Sequence, residues 1–410
     1  MQRIILGAMS NRIRSFTDLI APVSEEEFFS TYHDRQFLHV RAADTNKFAD
    51  VMSWEILTNM LNMTSIWSPS SLGLFLDTKA IPADQYCREA IDRTNQLSLQ
   101  PDAEKVKSWL RRGASLVAND IDTLWAGTAA AAAALEQRLG GRTQSNLYCS
   151  WNQHQAFDTH FDTHEVFALH VAGEKVWRIY EGRLDRPIAN EDFKSLDKAY
   201  QDERRGAVAA EVTLRPGDLL YIPRGQYHDA LASSDGAIHL SFGITHIIGV
   251  DALTMLFEQA MADPLFRSNI PLPESGPEGR RLWLAALAER LHEIGKGDEL
   301  ADRLEAYRDT FRYYRGGFDL PADALERKSD DCFEVIVHSL DVVNTGGKFA
   351  LHSAKATVPI PSELAEPLAW IIARGNFSLA DLAAEFPQLT DDVREKLISS
   401  LAAMKAIAPA

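Results

Sequence analysis

Cysteine is scarce: three in 410 residues, Cys87, Cys149 and Cys332, odd in number and far apart. Neither a disulfide framework nor a thiolate zinc site is indicated, and such usage suits a reducing cytoplasm. Long apolar runs are missing as well. Ile4 to Met9 is too short for a signal-peptide core, and no stretch approaches the ~20 apolar residues of a membrane span, so neither export nor insertion is expected. Positive charge is in deficit, 42 Lys and Arg against 58 Asp and Glu, a formal net charge of -16. That balance disfavours a surface built broadly for phosphates and argues against nucleic acid as a partner. A basic polypeptide is easier to accommodate.

What is present suits a folded protein, with 46% apolar and 24% charged residues. The length exceeds that of one compact domain. Ser24-Glu25-Glu26-Glu27 ahead of Phe28 and Phe29 has the form of a helix start. Phe37 to Val40 reads as a first strand, Val51 to Met63 as a helix on its Trp54, Leu57, Met60 and Leu61 spacing, and the alanine-rich Thr128 to Leu135 as another helix. From Ser145 to about Ile248 the period changes to short strands: Asn146 to Tyr148, Val166 to Val171, Val176 to Tyr180, Leu219 to Ile222 and Ala237 to Ile244. The polar insert Arg183 to Arg205 between them could border a substrate entrance.

Helical spacing returns in Asp251 to Met261 and Arg281 to Tyr314, separated by the proline-rich Pro264 to Pro277. Leu284, Leu287, Leu291 and Ile294 form an apolar stripe there, suited to core packing or to a homodimer surface. Beyond Cys332 come hairpin-like Phe333 to Val343, the turn Asn344 to Gly347 and a strand Lys348 to Ser353. Three short helices follow, Leu364 to Ala373, Ser378 to Phe386 with Ser378 as its cap, and Asp391 to Met404, a pattern compatible with a winged helix. Acidic residues outnumber basic ones from Ser378 to Lys405, so a substrate-shaping role suits this part better than DNA binding. The expected divisions are residues 1–249, 250–330 and 331–410.

The densest chemical signal is His160-Phe161-Asp162, followed far downstream by Gly217-Asp218, the apolar Leu219 to Ile222, then Pro223, Gly225 and His228. On a strand, residues two apart share a face, so His160 and Asp162 converge while Phe161 turns away. The turn residues Pro223 and Gly225 bend the chain so that His228 returns to them. Two imidazoles and a carboxylate leave three positions of an ion open, which suits non-haem iron(II) oxygen chemistry. His-x-Asp alone is a weak signal, and the second element is what gives it weight. A fourth strong ligand would close a needed position, so His164 is expected to line the substrate pocket or to be an ordinary half-buried histidine, and His154 to lie in a polar loop.

These stretches, with Ser145 to Tyr148, Thr163 to Phe167 and Gly173-Glu174-Lys175-Val176-Trp177-Arg178-Ile179-Tyr180, resemble the JmjC oxygenases of the ribosomal-oxygenase (cupin-4) group. The resemblance is specific over residues 145–245 and looser elsewhere. It implies an α+β fold, a double-stranded β-helix (cupin, or jelly-roll, barrel) with a helical region and a C-terminal winged-helix-like domain. It also implies an iron(II)- and 2-oxoglutarate-dependent dioxygenase, with His160, Asp162 and His228 on the metal and no catalytic side chain beyond that centre. Lys175 would receive the distal carboxylate of 2-oxoglutarate, since a lysine on a barrel strand needs an anionic partner; a turn lysine pointing at water is the alternative. Asn146, Tyr148 and Ser241 match positions lining the cosubstrate pocket, although Tyr148 would equally serve as barrel core. Gln36 replaces a proline common in the family, and Cys149-Ser150-Trp151-Asn152 replaces its Thr-Pro-Pro run, which loosens any inference about substrate. Hydroxylation of a protein or peptide side chain is the leading expectation, with the same chemistry on a small molecule or biosynthetic peptide, or a non-catalytic cupin scaffold, as alternatives.

Overall fold

The protein is described by a computed structural model covering residues 13–91, 95, 97–151, 157–233, 236–316, 332–337, 340–353 and 357–409. It divides into two compact units. One runs to Ile247 and takes up Phe311–Gly316 again, and the other comprises residues 248–310 and the chain from 317 onward.

The first unit is built on thirteen strands: β1 (Leu38–Val40), β2 (Leu72–Leu76), β3 (Lys79–Ala80), β4 (Cys87–Ile91), β5 (Leu97–Pro101), β6 (Ser115–Ala118), β7 (Arg142–Ser150), β8 (Glu165–Ala172), β9 (Lys175–Arg183), β10 (Val208–Leu214), β11 (Leu219–Ile222), β12 (Gln226–Ala232) and β13 (Ala237–Thr245). An eight-stranded sheet has the order β1-β11-β8-β13-β7-β6-β2-β3, and a three-stranded sheet the order β10-β9-β12. Every pairing in these two sheets is antiparallel.

Alternation along β8 separates two apolar layers. Val166 and Ala168 join Trp177, Ile179, Leu214, Leu220 and Ile222 in one buried cluster, the barrel interior. Phe167 and Leu169 turn the other way, into a larger core with Tyr221, Phe242, Phe16, Phe28 and Leu135. Phe28 stands edge-on to Tyr221 with ring centroids 5.0 Å apart, which ties the N-terminal segment to the outer face of the large sheet. The alanine-rich segment is the helix Ala126–Leu139, and its buried Ala131, Ala132 and Leu135 let it pack close beneath β7. Ser24 caps Glu25–Glu27 as expected, after which Phe28–Tyr32 widens into a π-helical turn.

In the second unit, helices Gly249–Ala262, Gly276–Lys296 and Asp298–Thr310 precede the small strands β14 (Cys332–Val335), β15 (Asp341–Thr345), β16 (Lys348–His352), β17 (Thr357–Ile360), β18 (Asn376–Ser378) and β19 (Ile407–Pro409). The long helical stretch expected over Arg281 to Tyr314 is two helices, broken at Gly297, and its last residues leave the helix for the first unit. Strands β15 and β16 form the expected hairpin, whereas β14 pairs with β18 and β19 instead of with β15. Helices Ser362–Arg374, Leu379–Glu385 and Asp391–Ala403 share a core with these sheets through Leu368, Ile371, Leu382, Ile398 and Leu401. Ser378 and Asp381 close a reciprocal capping box at the start of the middle helix. Among the described residues no helix is long and apolar enough to cross a membrane.

Candidate metal centre

His160 and Asp162 do not lie on a regular strand. His160 makes a single bridge to His228 in β12, and Asp162 follows in an irregular stretch before β8. The reason is local: only His160 exchanges strand hydrogen bonds with β12, its N–H donating to the His228 carbonyl at 3.0 Å and its carbonyl accepting the return bond from the His228 N–H at 2.8 Å. A directly opposed pair of this kind sends both side chains to one face. Asp162 is fixed two residues on, where its carbonyl accepts from the Gly225 amide at 2.9 Å. Gly225 has φ +83°, and a Cβ there would stand 2.0 Å from the Leu184 carbonyl, so this turn requires glycine.

Each imidazole is oriented by its Nδ1. That of His160 lies 2.7 Å from the Asp158 carbonyl and that of His228 2.9 Å from the Gln226 carbonyl. Carbonyls only accept, so both Nδ1 atoms carry protons and both Nε2 lone pairs are left for an ion. His228 Nε2 is 3.5 Å from Asp162 Oδ2, and the three ligand atoms of His160, Asp162 and His228 lie within 4.8 Å of one another. Burial, aided by the neighbouring His160, brings the His228 pKa down to about 4, which keeps the ring neutral as a ligand must be. Burial pushes the Asp162 carboxyl upward, but His164, His160 and His228 together outweigh it and hold the group below its ordinary range. Two imidazole nitrogens and a carboxylate, convergent and partly open to the pocket, fit a divalent ion with an incomplete ligand set.

The pocket beside this triad is lined by the four residues expected along the cosubstrate: Asn146, Tyr148, Lys175 and Ser241. Lys175 opens β9 and is 4% exposed. It is no turn lysine in water. Desolvation brings its pKa down to about 8, and the group opposing this is the Cys149 thiol, not a carboxylate. Its Nζ stands 5.9 Å from the Tyr148 ring centroid. The same cation, after burial itself, helps hold His239 well below the ordinary histidine range. Tyr148 stacks on His239 at 4.8 Å and 9°, and its phenol is pushed up to about 12, first by burial and then by the Asp162 carboxylate. Asn146 stands directly across from Ser241 in the β7–β13 register, and its amide oxygen accepts from the Asp120 N–H at 3.2 Å.

His164 lines the pocket without joining the triad. Its ring lies against Gly243, where a Cβ would come within 2.7 Å of it, so that strand position must stay bare. His154 falls outside the described residues. Gln144, Phe157, Trp177 and His239 also line the pocket and were not singled out from the sequence. Parity would have found two of them: Gln144, Asn146 and Tyr148 alternate along β7, and His239 and Ser241 along β13. A second cavity shares Phe157 and His160 with the first and is walled by Leu196, Lys198, Gln201, Asp202 and Arg205 of the polar insert. At its base Tyr180 and Thr159 donate to the buried Asp229 at 2.6 and 2.8 Å.

Residues 127–250 match the JmjC domain family. The chain is 33% identical over 190 residues to ribosomal oxygenase 2 of Bos taurus, covering 43% of this chain and 37% of that protein. It is 29% identical over 219 residues to the bifunctional lysine-specific demethylase and histidyl-hydroxylase NO66 of Culex quinquefasciatus, covering 52% and 31%. The chain thus spans about a third of the length of these curated relatives. Among solved structures it resembles YcfD, a ribosomal oxygenase from Escherichia coli in complex with cobalt and 2-oxoglutarate, with a TM-score of 0.52 at 16% identity over 94% of this chain and 98% of that one. On these matches residues 127–250 are similar to a JmjC domain, in a chain that shares its fold with YcfD.

Proposed function

We propose that the protein is an iron(II)- and 2-oxoglutarate-dependent oxygenase that hydroxylates a side chain of a protein or peptide. The observation that carries this reading is the convergence, in one pocket, of His160, Asp162 and His228 with the buried Lys175, which pairs with no carboxylate among the described residues. Iron(II) bound by the triad would supply the oxidising chemistry that, with dioxygen and 2-oxoglutarate, converts a C–H bond to C–OH as the cosubstrate becomes succinate and carbon dioxide. The chain's own residues do the rest. Lys175 pairs with the distal carboxylate, relieving the cost of its burial, while Asn146, Tyr148 and Ser241 offer amide and hydroxyl groups along the cosubstrate. Trp177, stacked at 25° on the His228 ring, holds that ligand in place and keeps water from the barrel interior.

A polypeptide substrate is favoured by the second cavity, which reaches His160 from the side of the insert. Its wall carries Arg178, Lys198 and Arg205 against Asp158, Asp202 and Asp229, so the expected basic character of the substrate rests on the net charge of the whole chain. The names of the curated relatives, ribosomal oxygenase and histidyl-hydroxylase, point to the same substrate class. We assign homodimer formation to residues 250–330. On the helix Gly249–Ala262, Val250, Leu253, Phe257 and Met261 form one stripe, each more than half exposed. Residues 331–410 serve as a winged-helix-like domain that shapes the substrate path, and the protein works in the cytoplasm.

The deciding experiment is turnover of 2-oxoglutarate to succinate by the iron-loaded protein, with a proteome digest searched by mass spectrometry for added oxygen. Unchanged turnover in Asp162→Ala would sink the assignment.

A further inference from the structure

Across the large sheet from the triad lies a second cluster of metal-binding side chains. Glu165 opens β8 on the opposite parity from His164, so its carboxylate enters the outer layer and not the pocket. It meets His33, just past the π-helical turn, and His246, just past the end of β13. Both Nε2 atoms stand 3.4 Å from the same carboxylate oxygen, Oε1, and the three ligand atoms lie within 4.8 Å of one another.

Hydrogen bonding does not account for this arrangement. A charge-assisted bond between imidazolium and carboxylate spans about 2.7–2.9 Å. The 3.4 Å separations are too long for that, and His33 Nε2, His246 Nε2 and Glu165 Oε2 are all buried without a hydrogen-bond partner. Such orphaned groups are costly, above all on a carboxylate only 5% exposed. The distance has another meaning. Ligands about 2.0–2.1 Å from a shared tetrahedral ion are separated by about 3.4 Å, the edge of that tetrahedron.

We propose that His33, Glu165 and His246 bind a second divalent transition-metal ion, zinc by the chemistry of two imidazoles and one carboxylate, with water at the fourth position. The side chains of His33 and His246 are 30% and 26% exposed, with the Nε2 atoms themselves turned inward and buried. The buried Tyr221 phenol lies against the Glu165 carboxylate, and its own backbone bond, accepting from the Asp34 N–H at 2.9 Å, ties it to the residue after His33. The ion would therefore clip three separate parts of the chain, the N-terminal segment, the start of β8 and the end of β13, to one point. The site does not depend on the oxygenase reading.

Metal-depleted protein titrated with cobalt(II) tests this by stoichiometry and visible absorption. Two equivalents should bind, one of them giving the intense bands of four-coordinate cobalt. His160→Ala/His228→Ala should keep that spectrum and one equivalent, whereas His33→Ala/His246→Ala should lose the spectrum and keep the other equivalent. Glu165→Gln, close in shape, should behave like the second pair. Should a variant of the second cluster fail to fold, the His160→Ala/His228→Ala protein decides alone: one bound four-coordinate cobalt upholds the site, and no bound cobalt overturns it. A single equivalent in the wild type that survives His33→Ala/His246→Ala would overturn it as well.

Discussion

His160 and His228 are joined backbone to backbone before either side chain meets an ion: each donates its N–H to the other's carbonyl, at 3.0 and 2.8 Å. The ligand geometry is thus held by main-chain bonds and by the turn at Gly225, whose amide fixes Asp162. Gly225→Ala should impair metal binding although it removes no ligand. The positive φ and the 2.0 Å approach to the Leu184 carbonyl make any Cβ there strained, at a cost of roughly 1–3 kcal/mol. Iron affinity by calorimetry should fall about tenfold or more; an unchanged affinity would show that the turn does not set the ligand positions.

Lys175→Ala should leave iron binding intact and raise the 2-oxoglutarate requirement steeply, by roughly 100-fold, because a buried charge-assisted contact worth about 1.5–3 kcal/mol is lost. Equal loss of metal and cosubstrate would mean that the lysine does something else.

The same lysine predicts a trade between stability and function. Its pKa is lowered from 10.5 to about 8 by burial, so the cosubstrate-free fold carries a cost of about 3 kcal/mol at neutral pH. Lys175→Met, apolar and close in length, should therefore stabilise the cosubstrate-free protein towards urea while abolishing turnover. A fall in the urea midpoint would contradict it.

The pH dependence follows in sign. Below pH about 8 the amine is charged and cosubstrate affinity should be flat. Above it the free protein loses the proton that the distal carboxylate needs, so affinity should decline by up to about tenfold per pH unit. Stability without cosubstrate moves oppositely: the folded state deprotonates before the unfolded one, so the cost of burial is relieved as pH rises from about 8 towards 10.5. Paired titrations of 2-oxoglutarate binding and urea unfolding over that range read both.

Much of this was legible in the sequence where one local rule dominates. Leu219–Ile222 is an uninterrupted apolar run between turn residues, and its strand has those bounds. Ser378 with Asp381 announced a capping box that the helix uses. Where partners come from far away, the pattern misled. His160 and Asp162 looked like two positions of a strand, yet only His160 pairs, because β12 offers it a single bridge. Strands β4 and β5 escaped notice because Ile91, Leu97 and Leu99 face solvent at 69, 65 and 44% exposure, leaving no buried face for the period to follow. His33, Glu165 and His246 carry no shared motif at all; only the folded sheet brings them together.

Arg315 shows how far that dependence on distant chain extends. Only 10% exposed, its side chain reaches Asp122 at 2.5 Å and Glu136 at 2.6 Å, two carboxylates that are 3% and 11% exposed, and it also donates to the Thr143 carbonyl. Arg315→Ala should destabilise the first unit by about 3–5 kcal/mol, as loss of one partner from a buried ion cluster does, and thermal unfolding would register it. On the ribosome, the barrel emerges with Asp122 and Glu136 still lacking their cation. It must wait for the three helices in between to be synthesised before its charges balance, so a fragment that stops at residue 250 would keep every proposed ligand and still lack a keystone.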